Sequence, residues 1–245
     1  MTKLLYLDDS YRTDAPAKIL SMSEEGGFVL DQSLFYATSG GQPGDSGRLI
    51  WQAGEVVIET TRKGENGTLV LVPKSGQSLP PVGTEVIQRI DWDKRYLHMR
   101  MHTALHLLSV IIPLPVTGGA ITAEKSRLDF DMPDVPAEKE EISERLNALI
   151  QRDLVTSDIW ISDEELDNNP GLIKTLSVKP PRGAGKIRLV RIAERDAQVD
   201  LQPCGGTHVK TTGEIGRLRV SKIEKKGRQN RRVHVVFDTD GASVN

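Results

Sequence analysis

Two like-spaced motifs far apart in the sequence constrain this chain most. They are His102-x-x-x-His106, within Met101-His-Thr-Ala-Leu-His-Leu-Leu108, and Cys204-x-x-x-His208, within Gln202-Pro-Cys-Gly-Gly-Thr-His208. Together they gather three of the five histidines and the only cysteine. Histidines four apart on a helix lie one above the other, so both imidazoles can reach one ion. A Cys and a His four apart around Gly-Gly suit a loop that bends back onto that ion. Each half alone says little, because His-x-x-x-His recurs in apolar helices without a metal and a lone cysteine is most often a small buried hydrophobe. The conjunction predicts one Zn2+ per chain, held by His102, His106, Cys204 and His208, in keeping with the nitrogen and thiolate preference of zinc.

His98 stands eight residues before His106, about 12 Å along a helix axis, so one ion cannot bind both. It is read as an exposed or hydrogen-bonded helix histidine. Thr103 follows His102, which excludes the His-Glu-x-x-His pattern of metalloproteases and leaves no glutamate there as general base.

The first ninety residues consist of short Val, Ile and Leu runs cut by Gly, Pro or Ser: Lys18–Met22, Gly27–Asp31, Gly47–Trp51, Glu55–Glu59, Gly67–Val72 and Glu85–Ile90. This pattern predicts a small β-barrel over residues 1–90. Asp91 or Asp93 can cap a helix from about Lys94 to Ile112, which Pro113-Leu-Pro115 stops. A strand at Ser126–Phe130, a second helix from about Ala137 to Leu154, and strand-like runs at 159–161, 187–192, 199–201, 217–220 and 233–237 follow. The expected fold class is α+β, an N-terminal small β-barrel followed by a helix-on-sheet α+β domain over residues 91–245.

One cysteine allows no intrachain disulfide, and neither a signal peptide nor a membrane-spanning run is legible. A reducing cytoplasm is the expected compartment, with no membrane partner and no obligate protein partner. The net charge is −2, but it is unevenly spread: residues 131–170 hold 12 acidic and 3 basic side chains, while residues 184–245 hold 13 basic and 7 acidic. Alternation on both sides of Gly227 predicts a hairpin whose Lys222, Lys225, Lys226, Arg228, Arg231 and Arg232 form a candidate RNA-binding patch. The competing reading is a solvated hairpin that keeps a sheet edge from aggregating. In the barrel region, Gly40-Gly41 permits positive φ and close approach of another backbone, as a loop entering a site or a wide turn between strands would need.

Taken in order, Ser39-Gly-Gly-Gln, His102-Thr-Ala-Leu-His-Leu-Leu, Ser126-Arg-Leu-Asp-Phe, Cys204-Gly-Gly-Thr-His and Gly213-Glu-Ile-Gly-Arg-Leu resemble the editing portion of alanyl-tRNA synthetase. Related motifs occur in threonyl-tRNA synthetase editing domains. With no aminoacylation or anticodon region, the chain resembles over nearly its whole length the free-standing AlaX proteins, and its barrel with a Gly-Gly loop resembles their medium-length type. The resemblance implies a zinc-dependent, ATP-independent aminoacyl-tRNA deacylase that serves translation fidelity. It would act on mischarged tRNA(Ala), chiefly seryl-tRNA(Ala), with glycyl-tRNA(Ala) in second place. It implies the same four zinc ligands, a substrate-binding loop of Gly40, Gly41 and Gln42, and Thr103 as a catalytic-site residue facing the aminoacyl hydroxyl. The chain departs from the family at Ile121-Thr-Ala-Glu-Lys125, near which the synthetases often carry a Gln. Serine and alanine differ by one hydroxyl, which a small apolar pocket excludes poorly and a second site can detect. Two other readings are a non-catalytic, zinc-stabilised tRNA-binding module and a small-molecule metallohydrolase on the same scaffold.

Overall fold

Alternation of apolar and polar residues governs the first part of the chain and closes it into a barrel. The computed structural model describes residues 2–134, 138–175 and 185–238, with Asn66 lacking a described side chain. The chain divides into two units, Met1–His98 and Met99–Asn245.

The first unit contains β1 (Lys3–Leu4), α1 (Leu5–Asp8), β2 (Asp14–Met22), β3 (Phe28–Leu30), β4 (Gln32–Ser33), β5 (Gly47–Trp51), β6 (Gly54–Lys63), β7 (Leu69–Pro73) and β8 (Glu85–Ile90). Six of these form a closed antiparallel barrel in the order β2-β3-β7-β6-β5-β8, which removes exposed edges. Ala15, Ala17 and Ile19 of β2, Leu49 of β5, Val56 and Ile58 of β6, and Val86 and Ile90 of β8 point inward and share one core with Phe28, Leu30 and Phe35. Gln88 is buried among them, but its Oε1 accepts from Leu34 N–H at 2.8 Å and its Nε2 donates to Gln32 O at 3.1 Å. The short parallel pair β1–β4 was not legible in the sequence.

α2 (Trp92–Ile111) crosses the division between the units and starts two residues before the position expected from the sequence. Asp91 caps it, with Oδ1 accepting from Lys94 N–H at 3.4 Å. Arg95, in its first turns, is buried against Asp45. Nε lies 3.0 and 2.9 Å from the two carboxylate oxygens, while the other nitrogens donate to Ser10 O and Leu34 O. Asp45 also accepts from Tyr36 N–H at 2.6 Å, so this buried pair is hydrogen-bonded on both sides.

Gly40 and Gly41 have φ of +55° and +81° and form a tight turn closed by reciprocal Ser39–Gln42 backbone bonds of 3.1 and 2.9 Å. It is a two-residue turn rather than the wide one considered from the sequence. Close backbone approach occurs instead at Gly44, where an added Cβ would stand 1.9 Å from the Thr61 carbonyl oxygen; at Gly40 it would meet nothing within 4 Å.

The second unit contains two antiparallel sheets. β14 (Leu218–Lys225), β15 (Asn230–Phe237), β10 (Lys125–Asp131) and β9 (Val116–Ala120) form one in that spatial order; β11 (Val155–Ile161), β12 (Ile187–Glu194) and β13 (Ala197–Pro203) form the other. α3 (Lys139–Gln151) buries Ile142, Leu146 and Ile150 at four-residue spacing. It is tied to β14 by Asn147, which donates to Leu218 O at 2.7 Å and accepts from Leu218 N–H at 2.9 Å. Ala137, the expected start of this helix, lies outside the described residues. α4 (Asp163–Asp167) is a single short turn set by a Ser162–Glu165 capping box. The hairpin about Gly227 is present as β14–β15.

The Gly44 geometry gives a direct stability test. Gly44→Ala should lower the unfolding free energy by about 2–3 kcal/mol through overpacking. Gly40→Ala should lower it by about 1 kcal/mol through left-handed strain alone. Urea unfolding of both variants measures the difference, and equal losses would remove the Gly44–Thr61 contact as a determinant.

Candidate metal centre

The ligand atoms of His102, His106, Cys204 and His208 all lie within 4.8 Å of one another. α2 supplies the two histidines four residues apart, and the loop after β13 supplies the cysteine and the third histidine. Cys204 Sγ is 3.4 Å from His102 Nε2 and 3.3 Å from His208 Nε2. A tetrahedral zinc with bonds of about 2.3 Å to sulfur and 2.0 Å to nitrogen separates those ligand atoms by about 3.5 Å, so the donor set fits. The three imidazoles are buried and Cys204 is partly exposed.

Arg188 of β12 holds the loop in place. Its Nη1 donates to Cys204 O at 3.2 Å and Gly206 O at 2.7 Å, and its own carbonyl accepts from Cys204 N–H at 3.1 Å. Asp158 of β11 faces the guanidinium, 2.8 Å from Nε. Gly206 N–H points back to Cys204 Sγ at 3.4 Å, completing the bend expected from the Gly-Gly pair.

Two of the histidines have their outer nitrogens fixed. His106 Nδ1 lies 2.9 Å from Asp200 Oδ2, which leaves Nε2 for the cluster. Asp200 is buried; its Oδ2 also accepts from Gln202 Nε2 at 2.7 Å, and its Oδ1 meets the Lys174 ammonium. His208 Nδ1 lies 3.2 Å from Thr103 Oγ1. The Thr103 hydroxyl also donates to Met99 O at 2.9 Å and accepts from Val209 N–H at 3.3 Å. Thr103, the residue expected to face the aminoacyl hydroxyl, is fully buried, and its hydroxyl joins His208, Met99 and Val209.

The electrostatics follow from these contacts. Burial pulls the His106 pKa down, but the hydrogen bonds and charges of Asp200 and Cys204 outweigh it and raise the value to about 9. Burial pushes Asp200 up, but His106 and Lys174 bring it down to about 2. Cys204 is opposed by burial yet held well below the ordinary thiol range by His102 and His208, so the thiolate is favoured. Burial, then the charge of His102, keeps His208 well below the usual imidazole range, favouring a neutral ring. Thiolate and neutral imidazole are the protonation states a metal requires, so the shifts prepare Cys204 and His208 for one, whereas His106 must give up its Nε2 proton when a metal binds.

The remaining sequence candidates fare unevenly. Gly40, Gly41 and Gln42 belong to the first unit, where the turn exists and Gln42 is buried. In the basic hairpin, Lys222 and Lys226 pair with Glu224. Arg232 makes two 2.8 Å bonds to Asp129, and Arg231 bonds to Pro133 O. Lys225 and Arg228 are exposed and, among the described residues, have no ion pair. His98 is buried rather than exposed, its Nδ1 lacks a hydrogen-bond partner among the described residues, and burial lowers its pKa to about 4. Asp200, Lys174, Gln202 and Arg188 were missed; the only local hint was the approach of Asp200 and Gln202 to Cys204 along β13. No helix among the described residues is long and apolar enough to cross a membrane.

Fold and cluster define a protein in which a β-barrel is followed by an α+β unit whose His/Cys cluster could hold a metal. Residues 9–94 match the family described as tRNA synthetases class II (A), and residues 187–234 match the threonyl and alanyl tRNA synthetase second additional domain. The alanyl-tRNA editing protein AlaX-M of Methanosarcina acetivorans is 33% identical over 247 residues, covering 96% of this chain and 98% of the relative. The AlaX-M protein of Saccharolobus solfataricus is 35% identical over 240 residues, with the same coverage of 96% and 98%. The alanine–tRNA ligase of Pyrobaculum arsenaticum is 35% identical over 234 residues, 91% of this chain but 25% of the ligase. The chain belongs to the AlaX-M family of alanyl-tRNA editing proteins.

The hydrogen bond from His106 to Asp200 should set metal affinity. Asp200→Asn is expected to weaken zinc binding by about 10–100-fold, measured by competition with a chromogenic chelator. Unchanged affinity would make Asp200 a bystander.

Proposed function

We propose that this protein is a trans-editing hydrolase that deacylates mischarged tRNA(Ala) in the cytoplasm. Its chief substrate is seryl-tRNA(Ala), with glycyl-tRNA(Ala) in second place, and its cofactor is one Zn2+. The observation that carries this reading is the cluster of three buried histidines, His102, His106 and His208, with the partly exposed Cys204, in a chain that matches AlaX-M proteins almost end to end. The domain assignment is part of the proposal: residues 1–90 form a barrel domain presenting Gly40, Gly41 and Gln42 to the substrate, and residues 91–245 form the hydrolase domain.

Bound zinc would polarise the ester carbonyl and orient the aminoacyl group. The chain's own residues prepare for this by fixing protons. Asp200 accepts the Nδ1 proton of His106, Thr103 accepts that of His208, and both rings present Nε2 inward. Arg188 restrains the carbonyls on either side of the Gly205 bend, which sets where Cys204 and His208 stand relative to each other. Lys225 and Arg228 are the side chains best placed to meet phosphates, whereas Arg232 is committed to Asp129.

One observation favours a second reading. A complete Cys/His four-ligand set is characteristic of structural zinc, whereas catalytic sites keep a position open. On that reading the metal holds the fold of a non-catalytic tRNA-binding module.

Purified protein given seryl-, glycyl- and alanyl-tRNA(Ala) should hydrolyse the first fastest and spare the last. Binding without turnover would support the module, and indifference to tRNA a small-molecule hydrolase. Cys204→Ala should bind substoichiometric zinc and lose at least about tenfold in deacylation rate, about 1.4 kcal/mol of barrier. Full zinc content and full activity would remove Cys204 from the site. Charge reversal at Lys225 and Arg228 should weaken tRNA binding and flatten its salt dependence, because fewer counterions are released. The Arg232 substitution should chiefly cost stability through Asp129, as urea unfolding would show.

A further inference from the structure

The sheet β11-β12-β13 carries an unused aromatic residue in the same row as a metal ligand. Trp160 of β11 is directly opposite Arg188 of β12. Leu189 of β12 is opposite Pro203 of β13, and one step further Cys204 N–H donates to Arg188 O at 3.1 Å. Trp160, Arg188 and Cys204 therefore form one cross-strand row. Neighbouring strands lie about 4.8 Å apart, so the Trp160 and Cys204 backbones are separated by about 10 Å.

The face of the sheet is fixed by the same register. Asp158 opposes Val190, which opposes Gln202; Thr156 opposes Ile192, which opposes Asp200. Directly opposed residues share a face, and alternate residues along a strand do so too. Because Asp200 and Gln202 contact His106, the face bearing Trp160 is the one that carries the metal cluster. Yet Trp160 is 47% exposed, on the outer strand of the sheet. The other exposed apolar residues of β11, Val155 and Ile159, belong to the opposite face by alternation.

We propose that Trp160 is a stacking platform for the base of the terminal nucleoside that bears the scissile ester, which rests on the function proposed above. Three observations support it. The ester and the base belong to one nucleoside, so a surface for the base must stand close to the metal without touching it, as two strand spacings provide. An unpaired RNA end is recognised chiefly by stacking on aromatic faces, since its bases are not buried in a helix. The indole is also the large aromatic group of this row, with Arg188 and its backbone bonds between it and Cys204, so the platform is fixed relative to the ligand loop.

A double-mutant cycle tests this with the zinc-loaded full chain. The probes are an RNA hairpin with an unpaired 3′ end and the same RNA lacking its terminal base. Trp160→Ala should weaken binding of the intact RNA about tenfold. With the serylated RNA it should raise KM by a similar factor and leave kcat within about twofold. Removing the base should cost the wild type the same factor and Trp160→Ala almost nothing more, while Trp160→Phe should restore most of the affinity. Zinc content and circular dichroism check folding. The proposal is overturned if wild type is indifferent to loss of the base, an arm that needs no variant, or if the two losses are additive. It is equally overturned if Trp160→Ala changes only the sedimentation coefficient, which would mark a protein contact. A wild type that neither binds RNA nor hydrolyses the ester refutes the proposed function as well; hydrolysis without coupling refutes this inference alone.

Discussion

The capacity of the His/Cys cluster in the second unit to hold a metal depends on where protons sit on two buried histidines. An imidazole can offer a lone pair inward only if its other nitrogen carries the proton, and burial leaves no water to arrange this. Asp200 does it for His106 and Thr103 for His208. The two partners differ in strength: a carboxylate makes its imidazole a stronger donor than a hydroxyl does. The ligand shell is therefore electronically asymmetric before any metal enters. Lys174 balances the charge of Asp200, so the carboxylate can remain buried beside His106 without an unpaired charge.

The first unit rests on a different kind of polar interior. Its barrel core is ordinary inward-facing aliphatic packing, but the loop leading to β5 is held by Asp45, whose oxygens meet both Arg95 and the Tyr36 amide. A buried ion pair of this kind contributes less to net stability than to choosing one arrangement, because either partner left alone would be a desolvated charge. Gly44, next to it, closes against the Thr61 carbonyl. The Gly40–Gly41 turn thus projects from a segment fixed at its base.

Much of this was legible in the sequence because it is local or periodic. Alternating strands gave the barrel, four-residue spacing gave the helix histidines, and the Gly227 hairpin followed from alternation and a breaker. β9 was not legible, since Gly118 and Gly119 break the strand pattern and it is held by pairing with β10. Thr103 stands beside His102 in the sequence, but its contacts with Met99, Val209 and His208 are assembled only by the fold. Asp200 and Arg188 act across long sequence separations, and no spacing rule identifies a carboxylate behind a histidine 94 residues away. Arg232 shows how sequence distance hides a partner: the Asp129 it pairs with lies 103 residues earlier.

The division of the four ligands between α2 and the loop after β13 also bears on biosynthesis. The helix pair leaves the ribosome long before Cys204 and His208 are made, and β10 waits as long for its neighbour β15. Two imidazoles on a nascent helix bind a metal weakly and exchangeably; retention begins only when the loop arrives. A chain terminated anywhere before Cys204 therefore lacks both the thiolate and the strand that completes the sheet. On the proposed function, metal retention would mark synthesis past His208, and chains ended earlier would surrender their ion to the cell's buffering ligands.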